Sequence, residues 1–161
     1  MTSMPVATPS PSGPMIVSSD LFGALRVTEE QVLFFEHGIA GFADCTRWIL
    51  VDGTRPGTAW LQSADVSTLA FLLVDPFVFF DGFSVELSPL DIRRLRADDA
   101  TQLAVFAIVT FPASRGTPAT ANLQGPIVIN VAKRRAAQIV LGDGPWSVRQ
   151  PFQLFPAATA G

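Results

Sequence analysis

The segment Trp48-Ile49-Leu50-Val51-Asp52-Gly53, followed a few residues on by Ala59-Trp60-Leu61-Gln62, sets two short apolar runs around an Asp-Gly pair. Val, Ile and aromatic side chains suit a pleated, half-buried surface, and Asp-Gly supplies the positive-φ positions of a tight turn. Residues 48–51 and 59–62 therefore read as strands. The same signature recurs outward in both directions. Upstream, residues 21–27 and 32–35 read as strands; downstream, so do 69–74, 84–87, 103–111, 127–131, 137–141 and 146–149. Turn chemistry at Asp81-Gly82, Ser114-Arg115-Gly116 and Gly142-Asp143-Gly144-Pro145 separates several of them. Many short strands at close spacing predict a mainly β fold, a small antiparallel β-barrel-like domain that leaves few strand edges open.

One or two short helices are expected beside the strands. Ser88-Pro89-Leu90-Asp91 offers a capping hydroxyl, proline at the first helical position and a carboxylate three residues after the cap. Ile92 and Leu95 then face inward, while Arg93, Arg94 and Arg96 face water near the helix's negative end. A second helical turn is expected at 41–45. Residues 1–15, rich in Pro and Ser, read as a disordered tail, residues 16–155 as one domain, and residues 156–161 as a second flexible tail.

Composition narrows the chemistry. The chain has 161 residues, 11 Lys and Arg against 14 Asp and Glu, and a net charge of -3, which is not the basic field that drives general nucleic-acid binding. A single cysteine, Cys45, and a single histidine, His37, make an internal disulfide impossible and a tetrahedral zinc site unpromising. No apolar run approaches the ~20 residues that span a bilayer, and the amino terminus lacks the charged and apolar regions of a secretory signal, so a cytoplasmic protein is expected. No nucleophile elbow, phosphate-cradling loop or dinucleotide fingerprint occurs, so neither an enzyme nor a cofactor is expected. The dense basic run Lys133-Arg134-Arg135 lies between two strand candidates and reads as a hairpin turn or a charged edge, ahead of a phosphate or RNA contact.

The most unusual stretch is Asp75-Pro76-Phe77-Val78-Phe79-Phe80-Asp81-Gly82-Phe83. Strand alternation would turn Phe77 and Phe79 inward. Phe80 and Phe83 flank a turn and stand open between core and interface; if exposed, they form an aromatic pair with an acidic rim at Asp75 and Asp81, fit for a basic partner.

Four segments, in order, resemble the FliW family of bacterial flagellar assembly factors. They are Phe35-Glu36-His37-Gly38-Ile39-Ala40-Gly41-Phe42, then Ala59-Trp60-Leu61-Gln62-Ser63, then Leu69-Ala70-Phe71 running into the Phe-rich stretch, and finally Ala121-Asn122-Leu123-Gln124-Gly125-Pro126-Ile127-Val128-Ile129-Asn130. The resemblance implies a non-catalytic barrel that binds flagellin before export and also binds the translational regulator CsrA, keeping it off its messenger RNAs. It makes Gly38, Ile39, Gly41 and Phe42 partner-binding candidates beside Phe80, Phe83, Asp75 and Asp81. Trp60, Gln62, Asn122, Pro126 and Asn130 are family-motif residues with structural roles expected. Glu36 and Ala40 stand where the family loop usually carries prolines. The expected protein is a monomer that binds neither membrane nor nucleic acid directly. The alternative reading is a small barrel holding a phosphate-bearing cofactor such as flavin through Lys133, Arg134 and Arg135.

Overall fold

The computed structural model describes residues 14–142 and 144–154; residues 1–13 of the expected tail 1–15, and the expected tail 156–161, lie outside them. Among the described residues eleven strands form in chain order: β1 (Met15–Ser19), β2 (Gly23–Val27), β3 (Val32–Phe35), β4 (Arg47–Asp52), β5 (Thr58–Ser63), β6 (Ala70–Val74), β7 (Ala104–Thr110), β8 (Ala119–Ala121), β9 (Ile127–Asn130), β10 (Arg135–Gln138) and β11 (Gln150–Phe152). Two short α-helices, α1 (Pro76–Phe79) and α2 (Pro89–Arg94), lie between β6 and β7.

Strands β3 to β7 pair in sequence, each antiparallel to the last. Antiparallel β9 then joins β7 to β10, and β10 returns to β3, so seven strands close a barrel. That last seam is parallel, the one departure in the barrel from the expected antiparallel pairing, with Arg135 opposite Phe34 and Ala136 opposite Phe35. Closure satisfies the backbone groups that an open sheet would leave at its edges.

Period-two alternation fills the interior. Leu33, Phe35, Trp48, Ala59, Leu61, Leu73, Ile127 and Ile129 form the barrel core. The intervening residues of β6 and β7 are also apolar because a flap covers them: β8 pairs with β7, β11 pairs with β8, and Leu72, Val74, Val109 and Leu123 pack beneath. A strand covered on both faces reads as a continuous apolar run, as 69–74 does. The β1–β2 hairpin covers a third cluster of Val17, Val27, Val32 and Ile49.

Several expected elements differ. Residues 21–27 split, with a turn before Gly23 (φ +75), and Met15 opens a strand where the tail was expected to end. Residues 84–87 form no strand; their alternation records one-sided burial of Val85 and Leu87, with no neighbouring strand to pair. Pairing near 146–149 falls instead to β11, because the Ser147 hydroxyl accepts from the Arg149 amide and turns the chain locally. β10 starts two residues early, although Ile139 and Leu141 still donate backbone hydrogen bonds to Pro126 and Gln124. Residues 41–45 form turns and no helix, since Gly41 sits at φ +89. The second helix is α1, while α2 carries the expected capping box between Ser88 and Asp91. No helix among the described residues is long and apolar enough to cross a membrane.

Candidate partner-binding surfaces

The Phe-rich stretch folds opposite to its alternation. The Asp75 carboxylate accepts from the Phe77 amide at 2.9 Å and Pro76 holds the first helical position, so the chain turns through one helical turn at α1. A period of 3.6 replaces the period of two. Phe80 and Phe83 therefore go inward, 8% and 6% exposed, into the cluster beneath the flap. Phe80 packs its ring on Phe152, and Phe83 packs on Trp146. The side chains left in water are Phe77 (54% exposed) and Val78 (61%), with Phe77 edge-on to the buried Phe83 ring. The expected exposed pair is thus replaced by Phe77 and Val78, beside exposed Asp81 and half-buried Asp75.

The 36–42 loop is shaped by its glycines. Gly38 has φ +64, and a Cβ there would lie 2.7 Å from the Ala43 Cα and from the Ala43 carbonyl oxygen, so no side chain fits. Ile39 is buried in the barrel end and bridges to Phe42, whose amide donates to the Ile39 carbonyl at 2.6 Å. Phe42 is partly exposed and rests edge-on against Phe71. Gln138 fixes the loop tip by accepting from the Ala40 amide at 2.8 Å. Of this loop Phe42, Gly41 and their exposed neighbours face outward; Gly38 and Ile39 are buried and shape it from within.

The motif residues hold the frame. Gln62 is fully buried: its carbonyl accepts from the Ser19 hydroxyl at 2.7 Å, and its amide lies within 3.1–3.4 Å of the Ser63, Val66, Ser67 and Leu69 carbonyls. Asn122 accepts from the amides of Gln124 and Gly125, which turns the chain into buried Pro126 at the start of β9. Asn130 donates to the Leu95 carbonyl at 2.8 Å and accepts from the Lys133 amide, tying α2 to the β9–β10 turn. Trp60 lies half-buried on the outer face between Phe22 and Phe111. His37 is exposed with Nε2 4.0 Å from the Glu36 carboxylate, and Cys45 is a half-buried free thiol.

Sequence reasoning missed one surface. An apolar groove of about 710 Å³ runs beside the flap, walled by Phe111, Pro112, Pro118, Pro151, Phe152 and Leu154. Phe111 is half exposed at its mouth. Its signal in the sequence was faint: Pro112 and Pro118 flank short strands and Pro151 falls within one, and proline in a strand marks a sheet edge.

Comparison with known proteins follows the same outline. The family model described as "FliW protein" matches residues 16–152. The chain is 34% identical over 135 residues to the flagellar assembly factor FliW of Treponema denticola, covering 84% of this chain and 91% of that protein. It is 37% identical over 142 residues to that of Moorella thermoacetica, covering 88% and 89%. The crystal structure of a flagellar assembly factor FliW superposes with a TM-score of 0.79 at 28% identity, over 89% of this chain and 99% of the other. With a matching profile over nearly all the described residues, relatives above 30% identity and a shared seven-stranded barrel, the chain belongs to the FliW family of flagellar assembly factors.

Proposed function

We propose that this chain serves flagellar assembly as a non-catalytic, monomeric cytoplasmic binder that alternates between unexported flagellin and a CsrA-type translational regulator. The apolar groove beside the flap carries this reading. A segment kept unfolded for export must cover the apolar face of its amphipathic helices, and a groove walled by Phe111, Phe152, Leu154 and three prolines matches that need. Phe111, half exposed at its mouth, is the anchor. The regulator, a basic partner, docks at the α1 turn, where Phe77 and Val78 supply apolar contact and Asp81 the complementary charge. Export of flagellin frees the chain to capture the regulator and lift its repression.

Calorimetric titration of purified flagellin into the protein tests the reading. Binding near 1 μM, about 8 kcal/mol, is expected, and Phe111→Ser weakens it about tenfold or more. Phe77→Ala weakens the regulator and spares flagellin. Absence of heat and of co-elution at tens of micromolar for both partners overturns the proposal.

A further inference from the structure

We propose that the arginine-rich end of the molecule, formed by α2 and the β9–β10 turn, docks an acidic, amphipathic protein segment. Six of the eleven basic residues lie there: Arg93, Arg94, Arg96, Lys133, Arg134 and Arg135. Two stretches far apart in sequence meet because Asn130 donates to the Leu95 carbonyl and accepts from the Lys133 amide. Arg94 and Arg135 line one cleft of about 280 Å³, together with Phe34 and Val140. None of the six makes an ion pair with a carboxylate among the described residues, although Asp91 and Glu36 line the same cleft and Glu29, Glu30, Asp98 and Asp99 lie close in sequence to its walls. Arg93, Arg94, Arg96 and Lys133 are left available, with no side-chain bond among the described residues.

The backbone gives a second, independent sign. Among the described residues, only two non-glycine residues have positive φ, and both belong to this end: Arg96 and Arg134, each at +57. Arg96 follows the cap of α2 in a Schellman turn, where Ala97 donates to the Ile92 carbonyl and Arg96 to the Arg93 carbonyl. Glycine is the usual occupant of such a position because it carries no Cβ strain. Arg134 closes the β9–β10 turn by donating its amide to the Val131 carbonyl, and its guanidinium also bonds the Glu29 carbonyl at 2.8 Å. The guanidinium of Arg96 makes no such bond among the described residues. Strain retained without a structural return points to the side chain's role outside.

The chemistry of the surface selects the partner. Five of the six cations are arginine, whose planar fork grips carboxylates in bidentate fashion. Exposed Leu90, Val131 and Val140 are interspersed, and arginine among apolar side chains is the composition of a protein interface. The carboxylates of Asp91 and Glu36 interrupt the continuous positive track that a polyphosphate such as RNA needs. This surface is distinct from the groove and from the α1 turn.

The test titrates a synthetic amphipathic peptide of Glu and Leu into the isotope-labelled full chain, followed by amide chemical shifts, with an oligouridylate titrated in parallel. Shifts confined to residues 90–97, 130–135 and 139–141 are expected. Combining Arg94→Glu with Arg135→Glu should weaken the peptide about tenfold. Arg96→Gly should keep or raise the melting temperature yet weaken the peptide about threefold, a split that no purely structural role produces. Four outcomes overturn the proposal: no shifts at about 0.5 mM peptide, shifts centred elsewhere, unchanged binding in Arg96→Gly, or oligouridylate binding tighter than the peptide.

Discussion

Replacing Gln62 by leucine removes the polar hub that joins the β1–β2 hairpin to the barrel. The Gln62 carbonyl accepts from Ser19, and its amide faces four carbonyls with only two hydrogens to share among them. Three effective hydrogen bonds at about 1 kcal/mol each are therefore lost. Three of the four carbonyls keep a backbone donor: Val66 from Leu69, Ser67 from Asp20, and Leu69 from Ser63. They are not orphaned, so the penalty stays near the hydrogen-bond sum, and added apolar burial returns part of it. A net loss of about 2–3 kcal/mol is expected for Gln62→Leu by urea denaturation. Combined with Ser19→Ala in a double-mutant cycle, the pair should show coupling of about 1 kcal/mol. Gln62→Glu goes further, since an ionised carboxylate among carbonyl oxygens is unpaired and buried. The introduced carboxyl has a raised folded-state pKa, so the part of its deficit due to ionisation is absent well below about pH 4.3 and grows as pH rises towards that folded value. A Gln62→Leu protein at least as stable as the parent would refute the reasoning.

The remaining predictions concern packing, backbone and charge. Phe80→Ala and Phe83→Ala should each lose about 3–5 kcal/mol in a denaturant melt, whereas half-exposed Phe77→Ala should lose about 1 kcal/mol. Gly38→Ala should destabilise by well over the roughly 1 kcal/mol of a positive-φ penalty alone, because the new methyl meets Ala43 backbone; Gly41→Ala, with open space around its Cβ, should show only that penalty. The Asp99 carboxyl is held below its ordinary pKa by hydrogen bonds from the Thr101 hydroxyl and amide, so its contribution to stability is present above the unfolded-state value and is lost as pH falls through the folded one. In Thr101→Val, an NMR titration should find the Asp99 pKa moved upward.

The barrel wall was legible because its period and its turns agreed. Strands near 32–35, 48–51, 59–62 and 103–111 form where alternation met turn residues, and α2 forms where cap, proline and carboxylate coincide. The Phe-rich turn misled because two signals competed in the same residues. Asp75-Pro76 is a helix start, while Phe77 and Phe79 alternate like a strand; the cap prevailed, since one hydrogen bond and a preset φ fix the turn before packing does. Ser84-Val85-Glu86-Leu87 alternates too, but alternation reports burial on one side and cannot supply a pairing neighbour. The groove and the arginine-rich end were hidden because each draws on segments far apart in the chain.

The parallel seam shows how closure and recognition share residues. Only two Cα pairs register β3 against β10, too short a ladder to hold a barrel shut by backbone bonds alone. The basic turn and β10 add one more backbone bond and three side-chain contacts. The Arg134 carbonyl accepts from the Phe34 amide, its guanidinium reaches the Glu29 carbonyl, Arg135 lies 5.2 Å over the Phe34 ring, and Gln138 holds the Ala40 amide. Arg134 and Arg135 are thus partly spent on closure, whereas Arg93, Arg94, Arg96 and Lys133 make no side-chain bonds among the described residues. Substituting Arg134 confounds seam and surface, since it removes a surface cation together with the guanidinium bond to the Glu29 carbonyl beside β3. Arg96 separates them: it follows the cap of α2, its side chain makes no bond to β3 or β10, and glycine relieves its backbone strain. A partner that senses Arg96 therefore reads the surface itself, and one that senses only Arg134 reads the closure of the barrel.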